Sequence, residues 1–329
     1  MYVVAKELFD IKVKMEISIP IIGDMSISKI KPPNGFEFKI EKFDEYEYKD
    51  KMINGKKEVL MDFEEAIHLI DSEKCVLTLY LKTEKICKSE YAANSIGALC
   101  NDGLMPTFDL IKNNYEKELI KYFSLLHLYK EGDIAWKYSF YKLATGEGVV
   151  SHTLKTDTVC ADMLTLNLNP MVIDDEDIES VNRCLKISEG AYEILKYNAL
   201  SDLEYTYHIL DNTTNYKNLM SALENLFIKA GERKNKSSKL SKRIPLFLEK
   251  DYDRNDDLSK KIRRMYDKRS AAVHANKKIS QDDLNELRKI VRECIKEYFL
   301  YVEKKRKSKA NISFKEMRSC LINQLKKSK

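Results

Sequence analysis

The sequence contains no apolar run close to the ~18 residues that a membrane-spanning helix needs. Its first 30 residues also lack the basic start, apolar stretch and small-residue cleavage site of a secretory signal. The seven cysteines are scattered, odd in number and contain no Cys-x-x-Cys pair, so we interpret them as reduced thiols. The cysteines and histidines show no zinc-ligand spacing, and the sequence implies no metal and no cofactor. We expect a cytoplasmic protein without a membrane partner.

Glycine and proline are also scarce, with 10 Gly and 6 Pro in 329 residues, which excludes a collagen-like chain. Hydrophobic residues make up 43% of the chain, enough to bury a sizeable core and to exclude global disorder. At roughly 100 to 200 residues per domain, this length predicts two globular domains.

Charge is divided unevenly along the chain. Residues 1–230 hold 27 Lys/Arg and 38 Asp/Glu, a net charge of −11, whereas residues 231–329 hold 30 and 14, a net charge of +16. A positive potential attracts polyanions, because each neutralised phosphate releases counterions, so nucleic acid is the natural partner of the last third. The alternative is that these lysine-rich helices simply present solvated faces.

Residues 1–170 show the mixed pattern of an α+β domain. Period-two or β-branched stretches predict strands at 36–40, 76–81, 136–141 and 149–154, and Asn54-Gly55 indicates a hairpin turn. Helices are predicted at 63–70, 90–99 and 115–128. The segment Thr145-Gly146-Glu147-Gly148 is too sparse for a phosphate-binding loop and predicts a turn.

The acidic cluster at 174–177 favours the first turn of a helix, with divalent-cation binding as the alternative, and we place the domain boundary near Pro170. Beyond it the periodicity is helical. We expect connecting helices over 171–213, an all-α four-helix bundle over 214–306, and a basic tail over 307–329 that either contacts RNA or is solvated. Ser280, with Asp283 three residues later, predicts the start of the fourth bundle helix.

Arg269 interrupts the apolar pattern of the third bundle helix. At ~100° per residue it lies near the middle of one apolar stripe, whose members are Leu258, Ile262, Met265, Tyr266 and Val273. Burying an uncompensated guanidinium costs several kcal/mol, so Arg269 needs an anionic partner, a second chain or a ligand phosphate. Asp267 is the single local carboxylate and lies on another face of the helix.

His274 follows Arg269 by five residues, about 140° around an ideal helix and ~7.5 Å along it. One straight helix therefore does not aim both side chains at one point. Convergence requires the flexible Arg269 side chain to bend, the helix to end near Ala275-Asn276, or two copies of the helix to meet in a symmetric dimer. We favour the dimer, in which the two copies supply two Arg and two His to a shared cleft. The alternative is structural, with Arg269 paired to a neighbouring carboxylate and His274 interacting with the helix dipole.

Residues 266–274, Tyr-Asp-Lys-Arg-Ser-Ala-Ala-Val-His, resemble the Arg-x4-His signature of the HEPN superfamily, in the form of its Apea-like branch. The resemblance covers about 214–302: residues 222–227, 240–244 and 282–299 resemble the first, second and closing helices of the branch. Ala275 stands where many relatives have Gly. The resemblance implies a HEPN-type bundle and a homodimeric, metal-independent endoribonuclease, with Arg269 and His274 as catalytic residues, of the kind found in bacterial antiphage defence, abortive infection and toxin systems.

The residue types independently suit RNA cleavage. A neutral imidazole, with a reference pKa of ~6.5, can accept the proton of a ribose 2′-hydroxyl or donate one to the leaving 5′-oxygen. The planar donors of Arg269 can hold the scissile phosphate. Ser270, Lys268 and Arg264 are further candidate phosphate contacts. Tyr266 either stacks on a base or, as its apolar stripe favours, packs in the core or dimer interface.

Three functions are compatible with the sequence: an Arg/His endoribonuclease held in check by an N-terminal domain that senses a trigger or partner, a non-catalytic HEPN dimer that binds RNA or nucleotide, and a scaffold. The presence of both Arg269 and His274 favours the enzyme, because a pure binder needs the cation but not the proton-transfer group.

Overall fold

The computed structural model describes residues 9–40, 77–89, 104–132, 134–136, 138–145, 154–157, 171–207, 211–232, 234–248, 255–275, 277–309 and 312–327. The chain divides into two compact units. The N-terminal unit comprises Met1–Phe123 and Gly132–Asn182, and the C-terminal unit comprises Ser124–Glu131 and Arg183–Lys329. The units thus part at Asn182, whereas the sequence places a boundary near Pro170. The segment Ser124–Glu131, which precedes both positions in the sequence, also belongs to the C-terminal unit.

The N-terminal unit contains an antiparallel sheet. Its strands are β1 (Phe9–Ile22), β2 (Glu37–Ile40), β3 (Leu77–Ser89), β4 (Ala135–Trp136), β5 (Tyr138–Thr145) and β6 (Leu154–Asp157). They lie in the order β2-β3-β1-β5-β6, and β4 pairs with β1. The long central pair runs in register from Phe9 opposite Ser89 to Ile21 opposite Leu77.

The central strand β1 is not among the strands predicted from the sequence. Its sequence alternates between apolar and polar residues from Phe9 to Ile19, the pattern of a strand with one buried face. Ile17, Ile19 and Ile21 are fully or almost fully buried. The burial of these isoleucines therefore anchors the sheet.

Several predicted elements of this unit coincide with described ones. The strand predictions at 36–40, 76–81 and 136–141 overlap β2, β3 and β4–β5, and the helix prediction at 115–128 lies within α1 (Leu104–Tyr129). Strand β6 begins at the last residue of the prediction at 149–154, whose other residues lie outside the described part of the chain. The Asn54-Gly55 hairpin, the helices at 63–70 and 90–99, and most of the turn at 145–148 also lie outside it.

The C-terminal unit is a helical bundle, as the sequence predicts, and most described residues of the whole chain are helical. Its elements are the ends of α1 and of α2 (Ile178–Cys184), then α3 (Glu189–Leu195), a π-helical turn (Lys196–Leu200), α4 (Ser201–Tyr205), α5 (Asn212–Phe227), α6 (Lys236–Leu248), α7 (Asn255–His274), α8 (Gln281–Ser308) and α9 (Phe314–Lys327). Helix α8 begins as predicted, because the Ser280 hydroxyl accepts a hydrogen bond from the Asp283 N–H (3.2 Å).

The core of this unit extends beyond the four predicted helices α5 to α8. Tyr192 and Leu195 of α3, within the predicted connecting segment 171–213, are buried in the same apolar cluster. The predicted basic tail 307–329 contains α9, whose Met317 and Leu321 are buried there too. Residues at i and i+4 share one face of a helix, so α9 turns this apolar face to the core and its lysines outward.

A buried ion-pair network lies at the end of α1. Glu131 binds two guanidiniums at once: one carboxylate oxygen lies 2.7 Å from Arg288 and the other 2.8 Å from Arg292. Arg288 is 2% and Arg292 8% exposed. Arg292 also donates to the hydroxyl of Tyr207 (3.0 Å), whose pKa is raised to about 12 by burial. A single carboxylate therefore compensates two buried cations that lie more than 150 residues further along the chain.

No described helix is both long enough and apolar enough to cross a membrane. Nor does any group of three or more His, Cys, Asp or Glu side chains in the described part of the chain suit a metal ion.

Candidate functional site

Helix α7 carries all six site residues predicted from the sequence. It begins at Asn255 with Asp256 and Asp257 in its first turn, where negative charge is favourable at the positive end of the helix dipole. Ile262 and Met265 anchor it in the bundle, at 0% and 1% exposure. The helix ends at His274, and the predicted site therefore occupies its last three turns.

The anchoring also involves a buried hydrogen bond. Tyr216 of α5 is fully buried, and its hydroxyl donates to the carbonyl oxygen of Met265 (3.2 Å). Met265 lies four residues before Arg269, about one helical turn. The backbone that carries Arg269 is therefore fixed against α5.

Arg269 of α7 is half-buried. Its Nε atom is shielded from solvent and forms no hydrogen bond with a described residue, and no carboxylate among the described residues pairs with it. Its guanidinium carbon lies 5.8 Å from the centre of the Tyr266 ring, within the range of a cation–π contact. An aromatic face compensates a cation only in part. Arg269 therefore has unsatisfied capacity to bind an anion.

Tyr266 packs against the edge of the apolar core. Its pKa is raised, first by burial and then by the nearby carboxylate of Glu224. Glu224 itself pairs with Lys236 at the start of α6. Glu224 and Arg269 are thus both charged neighbours of Tyr266, and core packing occupies part of the ring that base stacking would require.

The predicted apolar stripe needs one correction. Val273, expected on the packing face, is 43% exposed, and Ala272 is buried instead, at 3% exposure. The helix ends one residue later, so that Val273 stands in its last turn. Val273 and Ser270 lie four and one residues beyond Arg269, and Ser270 is half-buried.

Lys268 and Arg264 lie on a different face of α7 from Arg269 and are neutralised by α8. Lys268 pairs with Asp283, and this hydrogen bond lowers the pKa of that carboxyl. Arg264 pairs with Glu286 at 3.0 Å, and Lys261 pairs with the same carboxylate at 2.7 Å. Although burial alone would raise the pKa of Glu286, these two cations lower it.

A groove of about 600 Å³ lies along this second face of α7. Six cations and two acids line it together with Ala271 and Ile279: Lys260, Arg263, Arg264, Lys268, Lys277, Lys278, Asp267 and Asp283. Lys277 and Lys278 are not among the predicted site residues, although their position three and four residues after His274 is a usable signal. Arg269 and His274 do not line the groove.

His274 is exposed at the last position of α7. Because α7 is one continuous helix from Asn255, Arg269 and His274 point about 140° apart on it. The structure thus places a half-buried cation and an exposed imidazole on one helix without bringing their side chains together in a single chain. Of the remaining candidates, Tyr266 and Ser270 lie near Arg269, whereas Lys268 and Arg264 line the groove.

No family model, curated protein or solved structure matches this chain. The resemblance to the HEPN superfamily consequently rests on the residues of the chain alone.

Proposed function

We propose that the protein is a metal-independent endoribonuclease of the HEPN type, with Arg269 and His274 as its catalytic residues. One observation carries the proposal. Arg269 is half-buried and without an acidic partner among the described residues, on the helix that ends with an exposed His274. A half-buried guanidinium is costly unless an anion meets it, and a phosphodiester would supply that anion.

In the proposed reaction, the imidazole accepts the proton of a ribose 2′-hydroxyl. The 2′-oxygen forms a bond to phosphorus as the bond between phosphorus and the 5′-oxygen breaks. A protonated imidazole donates its proton to the leaving 5′-oxygen. The products are a 2′,3′-cyclic phosphate and a 5′-hydroxyl. Arg269 binds the non-bridging oxygens, whose negative charge grows in the transition state.

The separation of the two side chains on α7 favours catalysis by a homodimer. In a twofold arrangement, the end of α7 from each subunit would meet, so that one His274 accepts a proton while the other donates one. The exposure of Val273 beside His274 supports this, because an apolar side chain in the last turn would be covered by the partner.

The decisive experiment incubates the purified protein with RNA in excess EDTA. We expect wild-type protein to cleave, and His274→Ala and Arg269→Ala to lose at least 100-fold in rate, as is typical for removal of a catalytic acid–base group or charge-stabilising donor. Lys289→Ala, which removes an exposed charge from α8, is the control and should retain activity. Loss of wild-type activity in EDTA, or equal cleavage by His274→Ala, would refute the proposal.

The dimer is tested by the mass of the protein in solution. A strictly monomeric protein that still cleaves RNA would contradict the shared cleft. A role in antiphage defence, abortive infection or a toxin system follows only from the resemblance. It predicts that expression arrests bacterial growth and that His274→Ala abolishes the arrest.

A non-catalytic module that binds RNA or nucleotide is the second candidate, and the cation-lined groove favours it, since that groove does not include His274. RNA binding without cleavage by the wild-type protein would support this function over the enzyme.

A further inference from the structure

The groove on α7 and α8 carries an excess of positive charge that neighbouring acids do not neutralise. Of its six cations, Lys268 pairs with Asp283 and Arg264 with Glu286. The other four form no ion pair with a described residue: Lys260, Arg263, Lys277 and Lys278. All four are exposed. Such side chains remain available to an anionic ligand.

These four cationic side chains lie at both ends of the groove. Lys260 and Arg263 lie in the first half of α7, and Lys277 and Lys278 follow its end. From Lys260 to Ala271 the helix rises about 16 Å at 1.5 Å per residue. Charges distributed over this length suit a ligand with repeated negative charges better than a small anion, which would contact one end only.

Arg263 is oriented for such a ligand. Its Nε donates to the hydroxyl of Ser241 on α6 (3.2 Å), which fixes one edge of the guanidinium. The terminal nitrogens of Arg263 form no hydrogen bond with another described residue. A guanidinium held in this way retains paired donors that match the oxygens of a phosphate.

The lining also indicates how the ligand is recognised. Among the described residues, no aromatic side chain lines the groove, and the apolar residues of its lining are Ala271 and Ile279. Proteins that bind single-stranded nucleic acid with base contacts stack the bases on aromatic rings. A groove with cations and without rings can hold a phosphate backbone but offers no stacking platform.

The groove also lies close to the candidate catalytic helix end. Lys277 follows His274 by three residues, so their Cα atoms lie at most about 11 Å apart. A strand bound in the groove would therefore pass near the exposed imidazole. An acidic protein segment has no comparable reason to lie there.

We propose that this groove binds the sugar–phosphate backbone of a single RNA strand, beside the Arg269–His274 site and without reading the bases. The choice of RNA as the ligand rests on the proposed function. The groove acts as a secondary substrate site: it holds the nucleotides that flank the scissile phosphate, whereas Arg269 holds the scissile phosphate itself.

The test measures binding of a fluorescent 12-nucleotide RNA by anisotropy from 50 to 300 mM salt, in His274→Ala protein so that the strand stays intact. The groove variant adds Lys260→Gln, Lys277→Gln and Lys278→Gln. The matched control adds Lys186→Gln, Lys289→Gln and Lys304→Gln, three exposed lysines that line neither the groove nor the basic tail. Both variants lose three charges, and circular dichroism verifies that both are folded.

Each phosphate contact on a single strand contributes about 0.7 to the slope of log affinity against log salt concentration, so we expect the groove variant to lose about 2 from the slope and the control less than about 0.5. Oligouridylate and oligoadenylate should bind within about threefold of each other. Equal loss in both variants, or a strong base preference, would overturn the proposal. So would loss of poly-glutamate binding in the groove variant with RNA binding intact, because the groove would then accept acidic protein.

Cleavage by the matching variants with His274 intact separates this proposal from the proposed function. If the protein cleaves RNA and the groove substitutions change neither cleavage nor the salt slope, the groove proposal fails and the enzyme stands. If no cleavage occurs but the groove variant loses its salt slope, the enzyme fails and the groove stands.

Discussion

The exchange of Glu131 for Gln tests the buried network at the end of α1. This substitution keeps the size of the side chain but removes the charge that compensates Arg288 and Arg292, which lie 2.7 and 2.8 Å away. Removing one partner of a buried ion pair costs about 3 to 5 kcal/mol, because it leaves an uncompensated buried charge. Glu131 is 27% exposed, so water screens part of the loss and we take the lower value, about 3 kcal/mol.

For the C-terminal unit, which holds about 155 residues, a loss of this size lowers the midpoint of thermal unfolding by about 6 to 12 °C. Circular dichroism of the helices measures the change. Glu293→Gln is the matched control, because Glu293 forms an exposed pair with Lys296 and its loss should cost at most about 0.5 kcal/mol. If the two variants unfold at the same temperature, the assignment of Glu131 as the compensating charge of this core is refuted.

Glu232→Gln should lower the free energy of unfolding at pH 7 by about 1 to 2 kcal/mol, because hydrogen bonds from Arg243 lower the pKa of Glu232 to about 2. Since the folded carboxyl titrates below its usual value, this contribution is complete above about pH 4.5 and is lost as the pH falls towards 2. Urea unfolding should therefore show a smaller difference in the free energy of unfolding between wild type and variant at pH 3 than at pH 7. An unchanged difference would contradict the ion pair. Gly132→Ala should lower the free energy of unfolding by about 3 kcal/mol or more, because a Cβ atom there would lie 2.4 Å from the Cα of Met171. Gly231→Ala has open space around the new Cβ atom and should lower it by about 1 to 2 kcal/mol, because its φ of +92° is unfavourable for alanine. Thermal unfolding measures both substitutions. A larger loss of stability in Gly231→Ala than in Gly132→Ala would contradict this prediction.

The helices of the bundle were predictable because their apolar residues recur with the period of a helix. Tyr216, Leu219 and Leu223 share one face of α5 in the sequence, and all three are fully buried. The start of α8 was predictable from Ser280, since a capping hydroxyl acts on its own local backbone. The strand β1 carries an equally regular local pattern of alternating apolar and polar residues, so it was predictable from the sequence as well.

The groove and the buried network were not predictable, because they depend on which helices become neighbours. The pairing of Lys268 with Asp283 requires the start of α8 to lie beside the last turns of α7. Likewise, no local pattern relates Glu131 to Arg288, since 157 residues separate them. A helical wheel places Arg269 within an apolar stripe, but it cannot say whether a neighbouring helix offers a carboxylate.

The composition of the C-terminal unit has a consequence for protein synthesis. Residues 124–131 are synthesised well before Arg288 and Arg292. The carboxylate of Glu131 therefore has neither of these cationic partners until some 157 further residues have been made. Loop closure over such a separation is slow. The bundle should therefore complete its fold only after Arg288 and Arg292 have been synthesised, and a fragment that starts at residue 183 should be recovered in aggregates unless a peptide spanning 124–131 is supplied in trans.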